Sequence, residues 1–299
     1  MKCTLISTLF NEANNLGRWW ECLSKQTVRP DEIIIVDGGS TDGTWEQLQA
    51  LAAGSAVPVK LKQERLNIAA GRNRAIEMTD ADIVATIDGG SFADADWFEQ
   101  LTGPLLKDPN LDVVGGRSSL VFENEFQRFL QQFEQTPVEP KGSDDVYPSS
   151  RNAAFRRKAW ADVGGYPEWL TLTGEDALFN FELHKIGKLF RYNGNAIVHW
   201  PVRPTEKAYL KMLFSYGYGA AEAQLYDRCF WQNLAVTFFP PLLLLSRHRF
   251  RHLKFRYLKN YSAARGWLFG KLKGRRPPHG WKRLDGIWLS PEAERRLNN

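Results

Sequence analysis

Apolar and polar positions alternate in a regular way along the first part of the chain. Short runs rich in β-branched residues predict four strands, at Thr4–Leu9, Ile33–Val36, Val57–Leu61 and Ile83–Ile87. Between them, apolar residues at helical spacing predict helices at Leu16–Lys25, Trp45–Ala53 and Ala69–Met78. This alternation indicates an α/β fold, with a doubly wound, mostly parallel sheet and helices on both faces.

The alternation stops after Val113–Gly116. Phe122, Phe126, Phe129 and Phe133 then follow at helical spacing, which predicts core aromatics. From residue 149 the pattern resumes, with strands at Asn152–Phe155 and Ala196–His199 and with helices at Lys158–Val163 and from Glu175. A second half of the chain is therefore expected to close over the first.

Polar residues follow three of the predicted strands. Asn11-Glu12 follows the first, Asp37 to Gly43 follows the second, and Asp88-Gly89-Gly90 follows the fourth. In parallel sheets, ligands bind in the crevice beyond the carboxyl ends of the strands. Asp37 and Asp88 are therefore expected to face one crevice.

Each of these acids has two interpretations. Asp37 could accept hydrogen bonds from a ribose or a base, with Gly39 allowing close backbone approach, or it could simply form a turn. Asp88 follows a buried strand, where an unpaired carboxylate is costly. One partner for it would be Mg²⁺ or Mn²⁺ that also binds a diphosphate. The alternative interpretation is that Asp88 only forms a turn before Gly89 and Gly90.

Gly71-Arg72-Asn73 joins a small residue, an arginine and an amide near a predicted helix start. This arrangement suits a diphosphate at a helix amino end. Taken alone it is a weak pattern, because charged helix faces commonly carry arginines. Arg72 and Asn73 are the candidate ligands.

Glu175 and Asp176 open a helix, where either the helix dipole favours acids or one carboxylate serves as a general base. His199 ends a strand and is the candidate third metal ligand, although a lone histidine is more often structural. Downstream of Asp88, Asp96 and Glu99 have the spacing of a capping box, and we predict that role over a second Asp-x-Asp site.

The carboxy-terminal third differs in composition from the rest of a chain with net charge +5 and a pI near 9.0. Phe230–Leu245 is apolar but interrupted, and shorter than the ~20 residues that span a membrane. The following segment, Arg247–Lys259, predicts a basic, aromatic helix on an anionic membrane surface. The alternative is a helix that packs on the rest of the protein. We predict a catalytic domain at 1–204 and a helical region at 205–299, for which membrane association is one of these two interpretations.

The amino terminus enters a strand directly and lacks the apolar stretch of a secretory signal. The three cysteines, Cys3, Cys22 and Cys229, have no spacing that indicates a disulfide framework or a zinc site. We therefore expect a cytoplasmic location, with peripheral attachment to the cytoplasmic face of the inner membrane as a further possibility.

These motifs, taken in order, resemble the family-2 glycosyltransferases of the GT-A fold, over roughly residues 4–204. Asn11-Glu12, the turn from Val36 to Thr44, Gly71-Arg72-Asn73, Asp88 and Glu175-Asp176 match the family's elements. The resemblance implies an inverting transferase that moves a sugar from a nucleotide diphosphate-sugar to an acceptor hydroxyl. It implies Asp176 as base beside Glu175, and Asp88 with His199 at a divalent metal. The residues implied at the donor are Thr8, Asn11, Glu12, Asp37, Gly39, Arg72 and Asn73.

Gly90 departs from the family pattern, because an aspartate usually stands at that position. The expected metal is therefore Mg²⁺ or Mn²⁺ at a site with one acid fewer. A UDP-sugar is the first donor to consider. The acceptor would be a glycan or lipid-linked glycan in polysaccharide, lipopolysaccharide or glycolipid assembly, and no nucleic-acid partner is expected. The alternative is a catalytically silent protein that binds nucleotide sugars or acts as a membrane scaffold.

Overall fold

The protein is represented by a computed structural model that describes residues 1–134, 139–142, 145–245 and 252–298. Its strands are β1 (Cys3–Leu9), β2 (Glu32–Asp37), β3 (Val59–Gln63), β4 (Ile83–Thr86), β5 (Phe92–Ala93), β6 (Val113–Val121), β7 (Ala153–Arg156), β8 (Phe190–Pro201), β9 (Lys282–Leu284) and β10 (Ile287–Leu289). Its helices are α1 (Leu16–Ser24), α2 (Thr44–Ala53), α3 (Ile68–Glu77), α4 (Trp97–Lys107), α5 (Glu125–Leu130), α6 (Arg157–Asp162), α7 (Glu175–Lys185), α8 (Glu206–Ala223), α9 (Asp227–Phe238), α10 (Leu253–Lys273) and α11 (Pro291–Leu297).

One sheet of eight strands forms the centre, in the order β3-β2-β1-β4-β7-β6-β8-β5. β1 pairs in parallel with β2 and β4, and β2 pairs in parallel with β3. Strands β2 and β4 are buried throughout, which explains their continuous apolar runs. The carboxyl ends of β1, β2 and β4 meet at one edge, as the sequence predicts.

The second half of the sheet is mixed in direction. β7 lies antiparallel between β4 and β6, β8 pairs in parallel with β6, and the short β5 is antiparallel to β8. The sheet thus has four parallel and three antiparallel pairings among its described strands. The α/β class with helices packed on the sheet is confirmed, with a smaller parallel share than the first half of the chain suggests.

Helix starts position several polar groups. The Asn67 side chain caps α3 by accepting a hydrogen bond from the backbone N–H of Ala70 at 2.8 Å. The capping box predicted at Asp96 and Glu99 is wrong. Asp96 occupies the N-cap of α4, but its backbone (φ −101°, ψ 6°) is not extended and its side chain makes no cap hydrogen bond.

The carboxy-terminal helices α8 and α10 pack against α5 and the residues that follow it. Phe126, Phe129 and Phe133 form an aromatic cluster with Tyr209 of α8 and Phe255 of α10, so their predicted core position is confirmed. Within the described ranges, no helix is both long and apolar enough to cross a bilayer. The first residues of the predicted basic helix Arg247–Lys259 lie outside the described part of the chain.

The end of the chain returns to α7. Oε1 of Glu182, on α7, accepts a hydrogen bond from the backbone N–H of Ser290 at 2.6 Å. The other oxygen, Oε2, is buried and has no hydrogen-bond partner among the described residues. Burial raises the pKa of Glu182 to about 8. This buried carboxyl group ties α11 to the helix that begins at Glu175.

The raised pKa makes stability depend on pH. Glu182 stays protonated in the folded protein up to about pH 8, whereas in the unfolded chain it ionises above its model value of 4.5. Its contribution to stability is therefore complete below pH 4.5 and is lost as pH rises to about 8.

Glu182→Gln keeps the acceptor oxygen but cannot ionise. We expect this variant to be more stable than wild type at pH 8 by on the order of 1 kcal/mol, since one pKa unit corresponds to about 1.4 kcal/mol. Near pH 4.5 the two proteins should have similar stabilities. Urea unfolding at both pH values measures this, with the exposed Glu46→Gln as control. A Glu182→Gln protein less stable than wild type at pH 8 would contradict the prediction.

Candidate active site

Two adjoining cavities lie at the sheet edge where β1, β2 and β4 end. The smaller, of about 310 Å³, is lined by Thr8, Glu12, Gly38, Asn67, Gly71 and their neighbours. The larger, of about 530 Å³, is lined by Arg72, Arg151, Glu175, Asp176, Tyr216 and their neighbours. Ile68, Asp88 and Arg203 line both. A bound molecule could therefore extend from one cavity into the other past Asp88.

The smaller cavity has the features of an anion-binding site. Asn67 and Ile68 place the amino end of α3 in its wall, where backbone N–H groups and the helix dipole favour negative charge. A Cβ at Gly71 would lie 2.9 Å from Cγ2 of Thr8, so only glycine lets α3 approach β1 this closely. Exposed Arg203 adds a positive charge at the mouth.

The turn that contributes Gly38 to this cavity is held by hydrogen bonds. The buried Asp37 carboxylate accepts hydrogen bonds from the backbone N–H of Ser40 at 3.0 Å and from Nε2 of Gln63 at 2.8 Å. Asn11, in the left-handed region at φ 56°, accepts a hydrogen bond from the backbone N–H of Thr41 at its Oδ1. Gly39 has φ 87°, a left-handed conformation that favours glycine over other residues. The predicted donor contacts of Asp37, Asn11 and Gly39 stay predictions.

Asn73 has a structural role in the geometry observed. Its amide nitrogen donates to the carbonyl of Tyr166 and to Oε1 of Glu168, and its oxygen accepts from Nε1 of Trp160 and the N–H of Tyr166, all at 2.8–2.9 Å. These four bonds use both donors and both acceptor positions of the amide. Asn73 thus holds the segment that precedes Leu170 in place, and the predicted donor contact is untested.

Arg72 connects two candidate acids. Its buried guanidinium donates to Oε1 of Glu175 at 2.5 Å and to Oδ1 of Asp88 at 2.7 Å. Burial raises the pKa of Glu175 to about 7, against the opposing charge of Arg72. Burial also acts to raise the pKa of Asp88, but Arg72 and Arg151 together hold it below its ordinary value. The carboxylates thus differ in proton affinity although they share one arginine.

Asp176 is held differently from its neighbour. It lies in the first turn of α7, after Gly174 at φ 97°, and its Oδ1 accepts a hydrogen bond from the N–H of Ala177 at 2.8 Å. Asp176 lines the larger cavity and makes no ion pair with any residue that the structure describes. A carboxylate in this position can accept a proton from a bound hydroxyl, whereas Oε1 of Glu175 is already engaged by Arg72.

His199 contacts Asp94 in the structure and lies outside the lining of both cavities. Its Nε2 lies 2.8 Å from Oδ1 of Asp94. Across the described residues there is no group of three or more His, Cys, Asp and Glu side chains arranged around a possible metal ion. The geometry therefore does not support His199 as a ligand beside Asp88.

Residues 4–164, more than half of the chain, match the model of glycosyl transferase family 2. The chain belongs to this family. Glycosyltransferase AglE of Haloferax volcanii is 26% identical over 231 residues, which cover 75% of each protein. O-antigen chain rhamnosyltransferase RfbN of Salmonella typhimurium is 26% identical over 229 residues, which cover 73% of this chain and 72% of the relative. The chain is therefore a glycosyltransferase with relatives in O-antigen biosynthesis.

Solved structures agree on the fold. The mannosyltransferase PcManGT from Pyrobaculum calidifontis, in complex with GDP-Man and Mn²⁺, superposes with a TM-score of 0.62 at 15% identity, covering 90% of this chain and 86% of that one. Residues 1–349 of S. aureus TarS, in complex with UDP, superpose with a TM-score of 0.56 at 14% identity and 96% coverage of both. The fold is that of the GT-A glycosyltransferases.

Two arginines that line these cavities were not predicted from the sequence. Arg203 lies two residues beyond the end of β8, so the rule that selected Asp37 and Asp88 at strand ends could have selected it too. Arg151 precedes β7, and its Nε lies 3.8 Å from Oδ2 of Asp88 while its guanidinium stacks over Trp200. No short-range pattern marks Arg151, because its role depends on contacts made across the sheet.

Proposed function

We propose that this protein is an inverting glycosyltransferase that uses a nucleotide diphosphate-sugar and takes Asp176 as its general base. The observation that carries the proposal is the position of Asp176, without an ionic partner among the described residues, in a cavity that joins a second, anion-suited cavity at Asp88. The nucleotide occupies the smaller cavity and the acceptor hydroxyl enters the larger one. The sugar lies between them.

Direct displacement follows from this division of the site. Asp176 accepts the proton of the acceptor hydroxyl as its oxygen attacks the anomeric carbon, and the nucleotide diphosphate leaves from the opposite face. Arg203 and Arg151 stabilise the charge that develops on the diphosphate. Glu175 and Arg72 fix the start of α7 and so position the base. UDP-sugars are the first donors to examine.

A divalent cation fits the donor side of this site. Asp88 offers a carboxylate at the junction of the cavities, and Mg²⁺ in nucleotide sites is commonly held by one or two carboxylates together with substrate phosphates and water. The absence of a larger acid or histidine cluster in the described residues is compatible with such a site. When bound, Mg²⁺ or Mn²⁺ would neutralise negative charge on the diphosphate.

Inversion is tested by the configuration of the product. A donor sugar with an α-linked diphosphate should give a β-glycoside, because the hydroxyl attacks from the opposite face. Proton NMR of the newly formed anomeric position, recorded with whichever nucleotide sugar the protein consumes, reads this directly. A product that retains the donor configuration would contradict the mechanism, and release of no nucleoside diphosphate from any donor and acceptor pair would contradict the proposed activity.

The exposed surface of α9 supports a lipid-linked acceptor at an anionic membrane. No residue of α9 is buried, and Phe238 and Phe239 at its carboxyl end are 77% and 59% exposed. Tyr226 and Phe230, at its amino end, line the larger cavity. Residues 205–299 contain 18 Lys and Arg against 6 Asp and Glu, a charge that complements anionic lipid. The acceptor would then reach Asp176 from the bilayer surface.

Membrane docking gives a specific prediction. Wild type should sediment with vesicles of phosphatidylglycerol and phosphatidylcholine at low salt, and retention should fall as salt screens the lipid charge. Phe238→Ser with Phe239→Ser should weaken retention, because two exposed aromatic side chains are removed. Leu189→Ser, which changes a 53% exposed apolar residue before β8, is the matched control. Failure of wild type to bind, or equal binding by the double variant, would contradict docking through α9.

A further inference from the structure

The Glu12 side chain occupies the space beside position 90, where the family pattern places an acid. Gly90 has φ 72°, a left-handed conformation that disfavours side chains. A Cβ built on Gly90 would lie 3.0 Å from Oε2 of Glu12, and one built on Gly89 would lie 2.6 Å from Cδ2 of Leu9 and 3.1 Å from Cγ of Glu12. The Glu12 side chain thus covers the two glycines directly after Asp88.

We infer that Glu12 supplies the second carboxylate beside Asp88 and, with it, holds the divalent cation of the donor complex. Both side chains line the 310 Å³ cavity in which we propose the nucleotide diphosphate binds, so the inference rests on the proposed function. An acid at position 90 and the observed Glu12 side chain would compete for the same space. Glycine at position 90 therefore leaves this place to Glu12.

The loop that carries Glu12 is firmly anchored. The backbone N–H of Glu12 donates to Oγ1 of Thr44 at 2.8 Å, and the N–H of Ala13 donates to Oδ2 of Asp42 at 3.1 Å. Asn11, immediately before, adopts the left-handed conformation and donates from its N–H to Oγ of Ser40 at 2.8 Å. These bonds fix the backbone on both sides of Glu12, so its carboxylate is presented to the cavity without a large loss of backbone entropy on binding.

Two carboxylates are a sufficient protein contribution at a nucleotide-dependent site. Mg²⁺ and Mn²⁺ prefer hard oxygen ligands, and the diphosphate and water would complete the coordination. Arg203, which lines the same cavity and makes no ion pair with a described residue, would bind the diphosphate oxygens that the cation leaves free. The opposing possibility is that Arg203 and Arg151 neutralise the diphosphate alone and no cation takes part.

The experiment is a titration of UDP and of GDP, each with and without MnCl₂, into wild type, Glu12→Gln and Asp88→Asn, followed by calorimetry and by the EPR signal of bound Mn²⁺. We expect Mn²⁺ to tighten nucleotide binding by wild type. Glu12→Gln should reduce that increment, the ratio of the affinities with and without Mn²⁺, at least ~10-fold, the scale of losses at metal sites. Glu12→Asp, which keeps the charge, should retain part of the increment.

Controls separate this inference from the proposed function. Glu46→Gln, an exposed acid on α2, should behave as wild type, and thermal unfolding should show that each variant is folded. An unchanged Mn²⁺ increment in folded Glu12→Gln would overturn the inference. Nucleotide binding by wild type that Mn²⁺ does not affect would also overturn it, while leaving the donor site intact. Only the absence of binding by wild type under all conditions would count against the proposed function itself.

Discussion

Asp176→Asn is expected to lower kcat by about 10²–10⁴-fold, the usual contribution of a general base. The amide cannot accept the proton of the acceptor hydroxyl, but it nearly matches the carboxylate in size. It also keeps an oxygen for the hydrogen bond from the N–H of Ala177. Nucleoside diphosphate affinity should therefore be unchanged, because Asp176 lines the larger cavity and not the smaller one.

Steady-state kinetics with saturating donor, together with calorimetric titration of the nucleotide, measure both quantities. Asp96→Asn is the matched control, since it makes the same carboxylate-to-amide change at the N-cap of α4, where the side chain makes no cap hydrogen bond. It should retain wild-type kcat. Substantial turnover by Asp176→Asn would show that Asp176 is not the base. Loss of nucleotide binding in this variant would contradict the separation of the base from the nucleotide cavity.

Arg72→Met should destabilise the protein by about 3–5 kcal/mol, the cost of removing one partner from a buried ion pair. Asp88 and Glu175 would lose the guanidinium that both of them contact, and the Glu175 side chain is only 7% exposed. Arg72→Lys should cost less, because it keeps the charge, but one ammonium lacks the planar fork that reaches both acids. Urea denaturation at pH 7.5 provides the measurement.

A double variant distinguishes lost pairing from lost packing. Adding Glu175→Gln to Arg72→Met replaces a buried carboxyl group that has lost its partner with a neutral amide, so part of the stability should return and the two effects should be non-additive. Arg74→Met is the control on the same helix, because its pairs with Glu64 and Glu77 are partly exposed and worth about 0–1 kcal/mol. A loss below about 1 kcal/mol in Arg72→Met would mean that the ion-pair network does not stabilise the site.

The sequence predicts the donor half of the fold well because its information is local. Strands β1, β2 and β4 are buried along nearly their whole length, and each ends at polar residues that the fold places at one edge. The same reasoning placed the start of α7 at Glu175, where the helix does begin. Periodicity and strand-end chemistry therefore suffice to locate Asp88 and the start of α7, both of which line the cavities.

Long-range contacts account for what the sequence did not show. Asn73 was selected as a donor ligand by its neighbours, yet its amide is fully used by residues about 90 positions later. His199 was selected by its strand end, but β8 pairs with β5 and brings it to Asp94. The position of Glu12 over Gly90 depends on how two loops pack, which spacing along one chain does not encode.

The central claim, that the 310 Å³ cavity is a nucleotide diphosphate site, is tested most directly by calorimetric titration of UDP, GDP, CDP and dTDP into wild type with Mn²⁺ present. The account predicts saturable binding of at least one of them with a Kd below about 1 mM, the upper end of ordinary substrate affinities, and weakened binding in Arg203→Gln. Absence of saturable binding for all four nucleotides would contradict it.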